Sequence, residues 1–198
     1  MKTRGFTIIE MVVALGIVAV LAAVLVPIVG NYIGEARVTR ANKEAQSIAD
    51  AILNFNKSTG KWPIFKPPAA NITTTTPTYV SLESPGTAPA CSVDCTLWLP
   101  AAAADKGSIS DILERNVPGY TTSGKFAWRG PYLTDVGSDP WGNKYVVAAD
   151  NLKYGVVRAG LVLSAGPNGT IETTFAQNIG SGSAAVSVGG DDIVARIR

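Results

Sequence analysis

The sequence contains no histidine, the side chain that most often serves as a general base or as a metal ligand. It also lacks a Gly-x-x-x-x-Gly-Lys-Ser/Thr phosphate-binding loop and a Gly-x-Ser-x-Gly nucleophile elbow. The sequence therefore lacks the residues and motifs that the common nucleotide-dependent and hydrolytic mechanisms use. We therefore predict that the protein is not an enzyme.

An excess of charge of either sign is also missing. The 17 Lys and Arg residues and 15 Asp and Glu residues leave a formal charge of +2, which is carried by Lys2 and Arg4 near the N-terminus. A strongly basic surface is the electrostatic signature of nucleic-acid binding. No nucleic-acid partner is therefore expected.

Cysteine is scarce, with Cys91 and Cys95 separated by Ser-Val-Asp. A zinc site is not favoured, because two thiolates without histidine fall short of the usual four ligands. The spacing also differs from the Cys-x-x-Cys of redox motifs. In an oxidising compartment we expect a local disulfide in preference to free thiols.

One long apolar stretch, Met11 to Gly30, follows the short basic leader. About 20 apolar residues can span a bilayer as a helix, and the leading basic residues place the N-terminus on the cytoplasmic side. Glu10 stands at the edge of this stretch, where a carboxylate is costly to place in lipid, so we expect a partner to compensate its charge. A plain signal anchor is the alternative, and Ala22-Ala23 imitates a signal cleavage site weakly.

The run from Lys2 to Glu10, Lys-Thr-Arg-Gly-Phe-Thr-Ile-Ile-Glu, resembles the class III signal of type IV pilins and pseudopilins. The resemblance implies that a prepilin peptidase cuts between Gly5 and Phe6 and methylates the new N-terminus. It also implies that Glu10 meets the N-terminal amine of a neighbouring subunit, which would register one helix against the next. Pro27 corresponds to the family's helix proline, whose missing N–H loosens the helix.

A second apolar pattern follows the membrane segment. Apolar residues at alternating spacings of three and four predict one stripe along a helix: Val38, Ala41, Ala45, Ile48, Ile52 and Phe55. The helix is expected to end near Ser58, because Gly60 and Pro63 form a stop signal. Trp62 is expected to cover the helix end, and Trp141 to plug a sheet edge or the helix groove.

Residues 64–125 give weaker signals. Pro67-Pro68 and Pro85-Gly86 mark loops, so this region is interpreted as a variable insertion displayed on the surface. Within it, the run from Ser108 to Arg115 predicts a short helix with Ser108 as its N-cap.

The run Asp139-Pro-Trp-Gly142 has the side-chain preferences of a type I turn, which would precede a strand at Lys144–Ala148. Val156–Ser164 predicts one or two further strands, and we expect an antiparallel sheet that covers the helix. Together with Gly130-Pro-Tyr-Leu133, the run from Asp139 to Tyr145 resembles the major pseudopilin of type II secretion systems.

Two C-terminal segments, Leu163 to Thr170 and Gly189 to Val194, resemble that family's calcium-binding loop. The resemblance implies carboxylates and carbonyls around the ion, since calcium takes six to eight oxygen ligands. The candidate ligands are Asp191, Asp192, Asn168 and carbonyls near Leu163 and Ser164. A solvated acidic turn is the alternative.

The combined prediction is an α+β, pilin-like fold, in which a long N-terminal helix, its first half transmembrane, packs on a small antiparallel β-sheet. The domains would be a leader at 1–5, a transmembrane and filament-core helix at 6–30, and a periplasmic globular domain at 31–198. The protein would be a single-pass inner-membrane protein before it enters a periplasmic filament.

The resemblance implies a structural function, as a subunit of a type II secretion pseudopilus that helps to drive folded proteins across the outer membrane. Its partners would be further copies in a helical filament, a prepilin peptidase, minor pseudopilins, the membrane, and an inner-membrane assembly platform with its ATPase. Two alternatives remain. One is a type IV pilin of a surface filament for adhesion, motility or DNA uptake, and the other is a minor tip pseudopilin that acts as a binding module.

Overall fold

The computed structural model describes residues 5–68, 76–177 and 186–198. The basic leader before Gly5 and the glycine-serine stretch at 180–183 lie outside the described residues. The chain divides into two compact units, Met1–Arg37 and Val38–Arg198. We call them the N-terminal unit and the C-terminal unit.

The described residues form one long α-helix, one short α-helix and seven short strands, together with two single-turn 3-10 helices at Ala103–Asp105 and Asp150–Leu152. In chain order the α-helices and the strands are α1 Ile8–Thr59, β1 Ser81–Glu83, β2 Ala90–Cys91, β3 Lys106–Ser108, α2 Ile109–Leu113, β4 Val146–Val147, β5 Leu161–Ser164, β6 Thr170–Ile171 and β7 Ile193–Arg196.

The C-terminal part of α1 buries the predicted apolar stripe. Its fully buried members are Ala41, Ala45, Ile48, Ile52 and Phe55, whereas Val38 is half-buried. The helix ends at Thr59, one residue beyond the predicted end. Gly60 follows with a φ of 66° and donates its N–H to Asn56 O at 2.8 Å, the left-handed C-cap that a glycine adopts without strain.

The main sheet has five strands in the order β3-β1-β4-β5-β7. Three neighbouring pairs are antiparallel, as expected, but β1 and β3 are parallel. The sheet is therefore mixed, and the purely antiparallel prediction is corrected. The parallel pair arises because the chain between β1 and β3 crosses over instead of returning through a hairpin.

The segment at 64–125 contributes to the core, in contrast to the surface insertion that was expected. It supplies β1 and β3 of the main sheet, and α2 buries Ile109, Ile112 and Leu113. The predicted N-cap is confirmed, since Ser108 Oγ accepts a hydrogen bond from Asp111 N. Strands of three residues carry no readable alternation, which is why this region looked like loops.

The main sheet has a separate hydrophobic cluster on each face. Val147 and Val162 point toward α1, while their strand neighbours Val146 and Leu161 pack with Trp98 in the second cluster. This alternation along β4 and β5 is the two-residue period of a strand buried on both faces.

Three tryptophans differ in their positions relative to the two clusters. Trp62 is buried beside the end of α1, in agreement with the prediction, and the Arg198 guanidinium lies 5.5 Å from its ring centroid. Trp98 is fully buried, donates to Thr173 O at 2.9 Å and packs edge-on against Phe175. Trp141 is half-buried and belongs to neither cluster, so Trp98 fills the sheet face in its place.

The turn at Asp139 forms as predicted. Gly142 N donates to Asp139 O at 2.9 Å, and Asp139 Oδ1 accepts from the N–H groups of Trp141 and Asn143. The other oxygen of this buried carboxylate accepts a hydrogen bond of 2.7 Å from Ser164 Oγ. The turn is thereby fastened to β5, and β4 begins three residues after Asn143.

Candidate assembly helix and C-terminal loop

The N-terminal unit presents an apolar surface to its surroundings. Phe6 is 79% exposed, Ile8 85% and Leu15 68%. Surface of this kind requires cover from lipid or from other protein, because an exposed apolar patch of such length is unfavourable in water. Among the described residues, α1 is the one helix that is long and apolar enough to cross a membrane, by its length and composition.

Glu10 closes a capping box at the start of α1. Its Oε2 atom accepts hydrogen bonds from Thr7 N at 2.9 Å and from Thr7 Oγ1 at 2.8 Å. In return, Glu10 N donates to Thr7 Oγ1 at 3.4 Å. Sequence reasoning missed this arrangement, although the Thr-x-x-Glu spacing before an apolar run is its known signature.

The charge of Glu10 has no cationic partner in the described part of the chain. Two hydrogen bonds from Thr7 satisfy one carboxylate oxygen but do not neutralise the group. A carboxylate beside an apolar helix surface is stabilised further by a positive charge. The geometry therefore leaves Glu10 available to a cation outside the described residues.

The predicted processing site lies just before α1. Gly5 and Phe6 are exposed and precede the first helical residue, Ile8, so the peptide bond between them lies outside the helix. Exposed chain outside regular secondary structure is the preferred substrate of proteases, and this segment is of that kind. Position 27, where the family's proline was matched, lies inside α1.

The C-terminal loop brings together the segments in which calcium ligands were predicted. In the β5–β7 ladder, Leu163 is opposite Val194 and Ser164 is opposite Ile193. Beyond this ladder, Asn168 N donates to Asp191 Oδ2 at 3.0 Å. The pairing of β5 with β7 thus places the two segments side by side.

Asp192 organises this loop from within. Its Oδ2 atom accepts from Glu172 N at 2.9 Å and from Thr173 N at 2.6 Å, and the residue is 7% exposed. Burial raises the pKa of Asp192, although its hydrogen bonds with Thr173 and Glu172 oppose this effect. Asp192 Oδ1 is buried without a hydrogen-bond partner.

Among the side-chain oxygens of the predicted ligands, Asp192 Oδ1 is the buried atom that accepts no hydrogen bond in the described part of the chain. Asp191 Oδ2 already accepts from Asn168 N, and the Ser164 hydroxyl donates to Asp139. Within residues 5–68, 76–177 and 186–198, no three His, Cys, Asp or Glu side chains are grouped to hold a metal ion. The calcium site therefore stays a prediction.

Cys91 and Cys95 form the predicted disulfide. The bridged loop lies against the C-terminal loop, because β2 pairs with β6 and Ser92 N donates to Ile171 O at 3.0 Å. The disulfide therefore supports the strand that leads directly into Glu172 and Thr173.

A further cluster, which the sequence did not reveal, lies between α1 and the loop before β4. Glu44 accepts hydrogen bonds from Arg40 Nε and from Tyr145 Oη, each at 2.7 Å. These three side chains and the loop at 133–137 line a cavity of about 230 Å³. The Arg-x-x-x-Glu spacing is readable as a helical ion pair. The tyrosine is 101 residues away, and no local pattern links it to Glu44.

Comparison with known proteins agrees with the N-terminal features. The family described as the prokaryotic N-terminal methylation motif matches residues 1–26. A type IV major pilin protein of Neisseria gonorrhoeae is 37% identical over 60 residues, 30% of this chain and 36% of that pilin. A fimbrial protein of Neisseria meningitidis is 35% identical over 60 residues, 30% of this chain and 35% of that protein.

The alignments span about a third of the length of these curated relatives. No solved structure matches the chain. The long apolar N-terminal helix and the mixed sheet give an α+β fold that is consistent with a pilin-like fold. The motif and the curated similarities support its place in the type IV pilin-like superfamily.

Proposed function

We propose that the protein is a structural subunit of a type IV pilus-like filament. The observation that carries the proposal is the exposed apolar surface at the N-terminus, which bears the unpaired charge of Glu10 and follows a methylation motif. Before assembly, lipid covers this surface and holds the protein in the inner membrane. After assembly, the same surface of neighbouring copies covers it.

Cleavage between Gly5 and Phe6 removes the basic leader and creates a new N-terminal amine on Phe6. That amine is a cation next to an apolar helix, so it complements the Glu10 carboxylate of a neighbouring copy in charge and in environment. The pair fixes the register of the two helices, since an unpaired charge in a low-dielectric packing is strongly unfavourable. A prepilin peptidase and an assembly platform with its ATPase are the implied partners. We also propose that this chain, like most pilin-like structural proteins, is not an enzyme.

Two different observations bear on the type of filament. The curated relatives are pilins, which favours a surface pilus. The turn from Asp139 to Tyr145, which forms as a capped turn, is the feature that resembles the major pseudopilin and favours a type II secretion pseudopilus with its minor pseudopilins. Of the two filaments we favour the surface pilus, because it is supported by the sequence identity to these pilins.

Deletion of the gene in the producing cell, with plasmid complementation, tests both the filament and its type. A pilus subunit is expected in filaments that are sheared from the cell surface and labelled by antibody against the C-terminal unit. A pseudopilus subunit would leave the surface bare, and its deletion would retain exported proteins in the periplasm. Absence of filaments in both compartments, even when the protein is overproduced, would contradict the proposal.

We also propose that the C-terminal loop binds calcium, with Asp192 as the central ligand. The support is the buried, unpartnered Asp192 Oδ1 atom next to Asp191 and Glu172. Thermal unfolding of the full chain in detergent micelles, in excess calcium and in chelator, tests it. A ligand at 100 times its Kd adds about 2.7 kcal/mol to the free energy of unfolding. Coincident curves would contradict calcium binding, and Asp192→Ala should abolish any shift.

A further inference from the structure

The turn between β5 and β6 contains Asn168-Gly169, the one Asn-Gly sequence in the chain. The Asn168 side chain is exposed, and it is held at both ends of its amide group. Its Oδ1 atom accepts a hydrogen bond of 2.6 Å from Thr170 N, and its Nδ2 atom donates to Glu172 Oε2 at 3.2 Å. One end of the Asn168 amide faces an N–H donor and the other faces a carboxylate acceptor. The first end is therefore the oxygen and the second is the nitrogen.

This arrangement directs the side-chain carbonyl toward its own C-terminal peptide. The hydrogen bond to Thr170 N closes a ring that contains Gly169 N, so the carbonyl carbon of Asn168 is kept close to that nitrogen. Gly169 has no side chain to obstruct the approach. Its N–H is weakly engaged, at 3.3 Å from Gly166 O.

The Thr170 N–H is also a fixed donor at the atom where negative charge would develop. Ala90 N donates to Gly169 O at 2.9 Å, and β6 pairs Thr170 with Ala90. The peptide that carries this N–H is thereby immobilised by the sheet. A preorganised donor of this kind stabilises an oxyanion on Asn168 Oδ1, and the enforced proximity lowers the entropic cost of ring closure.

We propose that Asn168 is a site of spontaneous deamidation that this turn promotes. Gly169 N attacks the side-chain carbonyl carbon of Asn168, and the new N–C bond closes a succinimide. The bond to Nδ2 breaks, and the nitrogen leaves as ammonia with the proton that Gly169 N gives up through water. A second water molecule then opens the ring, which leaves an aspartate or an isoaspartate at position 168.

The product changes the charge of the C-terminal loop. An aspartate at 168 brings a second carboxylate against Glu172, where the amide previously donated a hydrogen bond. Like charges in contact repel, so the segment that follows β6 loses an attachment. The Asn168→Asp variant is expected to melt below freshly prepared wild-type protein, and aged wild-type protein is expected to approach the variant.

The test is peptide mapping by mass spectrometry of the full chain in detergent micelles, incubated at neutral pH in the folded state and in urea. We expect the Asn168 peptide to gain the mass of an amide-to-acid change while the peptides of Asn116 and Asn143 stay unchanged. The folded protein should convert at least as fast as the unfolded chain. Retention of the amide in the folded protein while the unfolded chain converts would overturn the proposal.

Variants at Glu172 separate the role of the fold from the intrinsic chemistry of Asn-Gly. Glu172→Ala removes the group that holds Nδ2 and should slow conversion of the folded protein several-fold. Glu172→Gln keeps an acceptor and should convert like wild type, and all three proteins should convert alike in urea. Equal rates for folded wild type and Glu172→Ala would refute this role of Glu172. If Glu172→Ala does not fold, the comparison of folded and unfolded wild type decides the proposal.

Discussion

The phenol of Tyr145 donates a hydrogen bond of 2.7 Å to Glu44 Oε2, across 101 residues of sequence. Tyr145 is 1% exposed and lies immediately before β4, while Glu44 lies on α1. Burial, followed by the hydrogen bond to Glu44, raises the pKa of Tyr145, so the hydroxyl keeps its proton and remains a donor. One carboxylate thus joins the helix to the sheet.

Tyr145→Phe should destabilise the C-terminal unit. The variant keeps the ring in the core but leaves the partly buried Glu44 carboxylate without this donor. Hydrogen bonds to charged groups contribute about 1.5–3 kcal/mol, and we expect the thermal midpoint to fall by several degrees. The matched control is Tyr154→Phe, which removes a bond to Gly60 O from a side chain that is 69% exposed. Equal effects of the two substitutions would contradict the account.

Asp192 makes stability depend on pH in a defined direction. Because burial raises its pKa in the folded state, the folded protein binds more protons than the unfolded chain between the two pKa values. The free energy of unfolding should therefore fall as pH rises from about 3.9, the usual pKa of aspartate, through the raised value.

Asp192→Asn should flatten this part of the stability profile, measured by thermal unfolding in chelator across the acidic range. Asp191→Asn, at the exposed neighbouring carboxylate, serves as the control and should keep the wild-type slope. A steeper decline in Asp192→Asn than in wild type would show that the sign is wrong.

Replacement of both Cys91 and Cys95 by serine should lower stability moderately. The loop that the disulfide closes is short, so the chain-entropy estimate is about 2 kcal/mol. The loss should be local, because Cys95 packs in the cluster of Trp98 and β2 supports β6. Amide exchange in residues 90–99 and 170–175 should increase more than exchange in α2. Reductant should reproduce the effect in wild type and have none in the double variant.

Gly5→Val should block removal of the leader. In the structure a Cβ atom at Gly5 would meet nothing within 4 Å, so the substitution does not disturb packing and its effect would reflect peptidase recognition. Gly16→Val is the matched control, since a Cβ there also meets nothing within 4 Å. Electrophoretic mobility in cells with the cognate peptidase should show precursor for Gly5→Val and mature protein for Gly16→Val. Normal maturation of both variants would show that the leader is not cleaved at this position.

The sequence predicted the features that local pattern encodes. The stripe at Ala41 to Phe55, the glycine stop, the Ser108 cap and the Asp139 turn each depend on residues that are close in the chain. The mixed sheet was missed because β1 and β3 have three residues each and gain their stability from pairing with distant strands.

The candidate sites also divide into features that the local sequence encodes and features that depend on residues far apart in the chain. The Cys91–Cys95 disulfide was readable from its spacing, and Thr7 with Glu10 could have been read as a capping box. The hydrogen bonds from Glu172 N and Thr173 N to Asp192 join residues that are about twenty positions apart, with 178–185 between them. No local pattern in the sequence therefore signals these bonds. The Tyr145–Glu44 bond is hidden for the same reason.

In the proposed filament, Glu10 directs the assembly of neighbouring copies. Glu10→Ala should be processed and inserted in the membrane like wild type, yet yield no filaments in the sheared fraction or by electron microscopy. Glu35→Ala, the same change at an exposed position of α1, should assemble normally. Filaments of Glu10→Ala at the wild-type level would contradict the account.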